Sequence, residues 1–158
     1  MNNALSSGTP ADSGLGTTRH GFELAGTRFL IPLGLHAELS ARPPICAIPD
    51  TPTLLLGFIN HRGETLPVFD LDRLTGSYPA NAGRWVLRLG KGAEAIGLLL
   101  NDLPHGLLGG EAAASDAPPP SQLSPFCGQG YRQAGEQWWE FDHPRFCAFV
   151  RHQFGTPS

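Results

Sequence analysis

The chain has 158 residues, 41% of them hydrophobic and 16% charged, with a formal net charge of −3. This composition suits a folded domain rather than a disordered chain, and the weak negative charge leaves no basic field for nucleic acid. Twenty glycines and fifteen prolines favour short strands and turns over long helices, an all-β signal. The first residues lack the basic and apolar regions of a secretory signal. No apolar run approaches the ~20 residues that span a bilayer, so direct membrane insertion is not expected. Cys46, Cys127 and Cys147 are odd in number and widely spaced, which argues against a disulfide framework and for the cytoplasm.

In chain order, residues 1–19 are polar, small and Gly-rich and read as a disordered tail, with an ordered domain over 20–154 and a short tail at 155–158. Gly21–Leu24 and Arg28–Leu33 flank Ala25-Gly26-Thr27 as a hairpin. Leu35–Leu39 continues as a strand or helical turn, and prolines bracket a short strand at Ile45–Ile48. Leu54–Ile59 and Thr65–Phe69 read as two strands reversing at Asn60-His61-Arg62-Gly63, where Asn and Gly tolerate positive φ. Pro67 argues for an edge strand or a bulge in the second of these. Asp70 is placed to cap a helical turn over Leu71–Leu74.

Ser77 to Gly83 reads as a loop, and Arg84–Leu89 with Ala95–Leu100 as a hairpin around Gly90-Lys91-Gly92. Leu103–Leu108 adds a short strand. Gly109 to Ser121, with three consecutive prolines, reads as the least ordered internal segment. Phe126–Arg132 and Gln137–Phe141 form a last hairpin, and Phe146–Phe154 closes the fold as a strand or short helix. Nine or ten short strands without a solenoid repeat or heptads fit a barrel or sandwich.

The run Gly57-Phe58-Ile59-Asn60-His61-Arg62-Gly63-Glu64, followed by Leu66-Pro67-Val68-Phe69-Asp70-Leu71, resembles the signature of CheW-like domains. Phe22-Glu23-Leu24 with Ile31-Pro32-Leu33 upstream, and Gly97-Leu98-Leu99-Leu100-Asn101-Asp102 downstream, extend the similarity from about Gly21 to about Phe149. The resemblance implies two interleaved, five-stranded, SH3-like barrels with little helix. It also implies a non-enzymatic adaptor that couples the cytoplasmic tip of a methyl-accepting chemoreceptor to the regulatory domain of a CheA-type histidine kinase. Such an adaptor is cytoplasmic and meets the membrane only through receptor arrays.

Carried over by position, Glu38, Asn60, Arg62 and Gly63 lie at or near the partner surfaces, with Leu35, His36 and Leu56 in the neighbouring apolar patch. Among Glu38, Glu64 and Asp70, the resemblance selects Glu38 as the ion-pair partner of Arg62. His61 replaces an apolar residue of the family and His36 an aliphatic one, and both sit beside the expected partner surface. The chain ends soon after Phe154, so the family's terminal helix is expected to be short or missing. These departures suit a type IV pilus (twitching motility) or other chemosensory system as well as flagellar chemotaxis.

Catalytic signatures are scarce. Gly90-Lys91-Gly92 lacks the Gly-Lys-Ser/Thr ending of a phosphate loop and sits in a strand–turn–strand pattern. No G-x-S-x-G elbow is present. His143 and Cys147 have ligand-like spacing and Cys127 is a third candidate, yet no C-x-x-C pair accompanies them. Buried cysteines acting as small apolar groups are the expected reading, so no metal, cofactor or catalytic residue is assigned. Trp138 and Trp139 point to opposite faces of a strand, so only Trp139 shares the face of Phe141, and core packing is expected for at least one of them. Two alternatives to the adaptor remain: a divergent CheW-like scaffold without kinase contact, and a small ligand-binding β-barrel.

Overall fold

The structure is a computed structural model that describes residues 19–50, 53–76, 82–107 and 112–154. Residues 1–18 and 155–158 of the proposed tails, most of the loop at Ser77–Gly83 and the start of the Gly109–Ser121 segment lie outside the described residues, whereas Arg19, read as part of the tail, opens a strand and pairs with Glu140 at 3.0 Å. The chain begins with β1 (Arg19–Leu24) and β2 (Thr27–Leu30), then β3 (Ala37–Ala41), β4 (Leu55–His61), β5 (Glu64–Phe69) and the short helix α1 (Asp72–Thr75). It continues with β6 (Trp85–Leu89), β7 (Ile96–Leu100), β8 (His105–Leu107), β9 (Ala113–Ser115), β10 (Cys127–Gln133), β11 (Glu136–Phe141) and the helix α2 (His143–Phe154).

Two sheets result, one in the order β8-β1-β2-β11-β10-β9 and the other β3-β6-β7-β5-β4. The chain leaves the first sheet after β2, builds the whole second sheet, and returns to the first at β8. This is the interleaving implied by the family resemblance, although one sheet has six strands rather than five. The sixth comes from the segment read as a loop: Ala113–Ser115 pairs with β10 through Gly130, Tyr131 and Arg132.

The five-stranded sheet is rolled into a barrel. Its terminal strands β3 and β4 are far apart in strand order, yet Cys46, just beyond β3, exchanges both backbone hydrogen bonds with Phe58 of β4. Gly57 permits that closure, because a Cβ there would sit 2.4 Å from the Cys46 carbonyl oxygen. Only this one bridge represents the strand expected over Ile45–Ile48. Pro67 is not on an edge strand: β5 lies between β7 and β4. It is tolerated because the ladder to β7 begins at Val68, and the bulge lies across in β4, between Leu55 and Gly57.

Alternation along β6 sorts the core. Val86 packs inside the barrel with Ile59, Leu66, Val68 and Leu99. Leu87 and Leu89 face the other way, into a larger core shared with Phe22, Phe29 and Phe141 of the first sheet. Trp139 joins this shared core with Phe141, whereas Trp138 is buried on the opposite face against Gly21.

The expectation of a short or missing terminal helix is corrected by α2, which spans 12 residues. Its Phe146 is fully buried and meets Phe69 of one sheet at 5.2 Å and Phe141 of the other at 5.6 Å. The helix start is specified locally, since Asp142 Oδ1 accepts the Arg145 N–H at 3.0 Å and Pro144 sits in the first turn, where its missing N–H is harmless. α1 starts one residue later than expected, after Leu71, which offers no side-chain cap, and Asp70 instead accepts the Asp72 N–H through Oδ1 at 3.2 Å.

Candidate functional site

The turn between β4 and β5 is only two residues long, Arg62 (φ 54°) and Gly63 (φ 84°), with His61 opposite Glu64. Two positive φ values match the twist of a tight hairpin. Glycine takes this region freely, whereas for arginine it costs roughly 1–2 kcal/mol. Asn60 holds the turn from outside, its Oδ1 accepting the Gly63 N–H at 3.0 Å. Asn60 and Gly63 therefore shape the turn, and Arg62 is the side chain it presents, 75% exposed.

Arg62 Nη1 donates to Glu38 Oε2 at 3.0 Å, the pair expected from the sequence. Glu38 has further partners. His61 Nε2 contacts Oε1 at 2.6 Å and His36 Nε2 lies 3.1 Å from Oε2; each contact needs a proton on the imidazole nitrogen. Arg88 adds a fourth, with Nη1 at 3.8 Å from Glu38 Oε1 and Nη2 at 3.3 Å from Glu64 Oε1. Arg88 lies directly across from Glu38 in the β3–β6 ladder, on the inward face shared with Val86. The cluster thus closes one mouth of the five-stranded barrel and joins its two terminal strands. Burial alone raises the Glu38 carboxyl, but the His61 hydrogen bond, the Arg62 charge and the His36 contact together outweigh it and hold Glu38 below its ordinary value.

Beside this cluster runs a groove of about 440 Å³ between the two sheets, lined by His20, Ile31, Leu33, Leu35, Glu38 and Leu39 among others. Leu33 and Leu39 are 60% and 42% exposed, large apolar side chains open to solvent at the groove rim. Of the residues carried over from the family, Leu35 and Glu38 line the groove, His36, His61 and Arg62 contact Glu38, and Asn60 and Gly63 shape the turn that carries Arg62. Leu56 sits elsewhere, half-buried against the interior of the barrel with Ile45. Sequence reasoning missed Arg88, Leu33 and Leu39. The signal for Arg88 was available, a lone cation inside the apolar run Trp85–Leu89.

Among the described residues one group has metal-ligand composition, Glu94, His143 and Cys147. It lies where the tip of the β6–β7 hairpin meets the start of α2.

Two interleaved sheets, one of them closed into a barrel, are the kind of arrangement that the resemblance to CheW-like domains implied. The CheW-like domain family model matches residues 20–107, and the chain belongs to that family. A solved structure described as the scaffolding protein TtCheW from Thermoanaerobacter tengcongensis is similar in fold. It is 20% identical, with a TM-score of 0.62, over 78% of this chain and 87% of that one. No curated protein matches the sequence.

Proposed function

We propose that this chain is a non-enzymatic adaptor that couples methyl-accepting chemoreceptors to the regulatory domain of a CheA-type histidine kinase. It would work at the cytoplasmic face of receptor arrays in a system driving flagellar or type IV pilus motility. The observation that carries the reading is the hairpin at Arg62. A strained, largely exposed arginine is anchored at its base by a half-buried cluster, next to a groove with exposed leucines.

Each part of the surface has a task. The groove accepts the apolar ridge of a receptor helical hairpin, a helix-in-groove mode. Arg62 offers a planar fork of donors to a carboxylate or to backbone carbonyls of the kinase domain. The Glu38 cluster fixes the hairpin against the barrel, so little order is lost on docking. Contacts of this size are individually weak and gain strength through repetition in an array.

The test is a pull-down with the regulatory domain of the cognate kinase, using wild type and Arg62→Ala. Binding by wild type and its loss in the variant support the adaptor reading and the interface. A folded wild-type chain that does not bind contradicts it and leaves the scaffold reading in its place.

A further inference from the structure

The pairing of His143 with Cys147 is a sequence feature that the adaptor surface does not use. They lie one helical turn apart on α2, both buried, with Cys147 Sγ 3.5 Å from His143 Nε2. The hairpin between β6 and β7 closes over them. Glu94 places its carbonyl oxygen 2.8 Å from His143 Nε2 and 3.6 Å from Cys147 Sγ. Its carboxylate lies within 4.8 Å of both ligand atoms.

Gly90 makes this approach possible. It has φ +86°, and a Cβ there would lie 2.7 Å from His143 Nε2 and 2.8 Å from the Glu94 carbonyl oxygen. The hairpin therefore comes this close to the imidazole only because residue 90 has no side chain.

The geometry points to a divalent, thiophilic metal site of the zinc type, formed by Cys147 Sγ, His143 Nε2 and the Glu94 carboxylate, with the Glu94 carbonyl or a water in fourth place. In a tetrahedral site with Zn–S near 2.3 Å and Zn–N near 2.0 Å, sulfur and nitrogen stand about 3.5 Å apart. The observed separation is that distance. One thiolate and one carboxylate balance the charge of the ion, which suits a half-buried position. On binding, the Cys147 thiol releases its proton to solvent. The imidazole carries its proton on Nδ1, freeing the Nε2 lone pair, and the Nε2–H contact with the Glu94 carbonyl is given up. Glu94 also exchanges its exposed contact with Arg151, at 3.4 Å, for the metal. Sequence spacing alone did not reveal the site because its third ligand comes from a hairpin about fifty residues upstream.

The ion would pin the hairpin tip to α2. The Gly90 N–H donates to the His36 carbonyl at 2.8 Å, so the pinned tip is continuous with the segment entering β3 and the Glu38 cluster.

The test is titration of the full chain with cobalt(II), reading the thiolate-to-metal charge-transfer band and the visible tetrahedral bands. One equivalent should produce both, and added zinc should abolish them. The signal should be lost in Cys147→Ser and persist in the Cys46→Ser, Cys127→Ser double variant. Glu94→Gln, which keeps its main-chain carbonyl, should weaken binding at least about tenfold. No band in wild type overturns the proposal. So does a band that vanishes from the double variant, since the thiolate would then be Cys46 or Cys127. The double variant keeps the test decisive even if Cys147→Ser does not fold.

Discussion

Arg62 occupies a left-handed backbone conformation at φ 54°, and replacing it by glycine or by alanine separates strain from contact. Alanine removes the ion pair to Glu38 but keeps the strain. With the arginine side chain 75% exposed, that pair contributes about 0.2–1 kcal/mol. Glycine removes the same pair and also relieves roughly 1–2 kcal/mol of left-handed strain. Against this stands roughly 0.5–1 kcal/mol for the greater freedom of glycine in the unfolded chain. At the midpoints of these ranges Arg62→Gly is more stable than Arg62→Ala by about 0.75 kcal/mol, and close to wild type. Equilibrium urea unfolding of the three proteins, with matched m-values, measures this difference. An alanine variant as stable as the glycine variant would refute the reasoning, because the turn would then carry no strain.

Three further outcomes follow from the same geometry. Folding lowers the pKa of Glu38 from its ordinary value of 4.5. Its contribution to stability is therefore present above that value and lost as the pH falls through the lower folded value. Glu38→Gln should flatten the stability curve as the pH falls below about 4.5, and an unchanged slope in acid titration of the unfolding midpoint counts against it. Gly90→Ala combines φ +86° with a clash on His143 and the Glu94 carbonyl, whereas Gly26→Ala at φ +81° meets open space. The first should cost at least about 1 kcal/mol more than the second in thermal unfolding, and equal costs would show that the hairpin tip is free of α2. Burial pushes the Cys127 thiol up to about 11, and Cys147 is buried while Cys46 is exposed. A thiol reagent at pH 8 should titrate one cysteine rapidly and the other two only on unfolding; three fast thiols would contradict the packing of α2.

Much of the architecture was legible because local chemistry and global fold agree. Gly26, Gly63 and Gly135 mark three hairpin turns whose φ values only glycine takes freely. The alternation around Trp139 and Phe141 names the face that meets the core. What escaped notice is non-local. β9 is a three-residue strand whose partners lie in β10, and a short run of alanines before three prolines carries no periodicity to reveal it. The helix α2 had signals that went unused, Asp142 before Pro144 and then Phe146, Cys147, Phe149 and Val150 at helical spacing.

At the candidate site, the Asn-x-Arg-Gly turn could be read from sequence, and the resemblance supplied Glu38. That Glu38 binds His61 more closely than Arg62, at 2.6 Å against 3.0 Å, could not be read, because it depends on how far the barrel rolls to bring β3 to β4. The two histidines that depart from the family pattern are thus partners of its glutamate. They replace apolar packing at the barrel mouth with hydrogen bonds to one carboxylate.

The measurement that bears most directly on the central proposal is calorimetric titration of the full chain into the regulatory domain of its cognate CheA-type kinase, with wild type and Arg62→Gly. The glycine variant is the better probe because its fold is expected to be as stable as the wild type, so lost binding cannot be ascribed to unfolding. The account predicts binding by wild type and at least about a tenfold weakening in the variant, more than 1.4 kcal/mol. Equal affinities, or no binding by the folded wild-type chain, would contradict it.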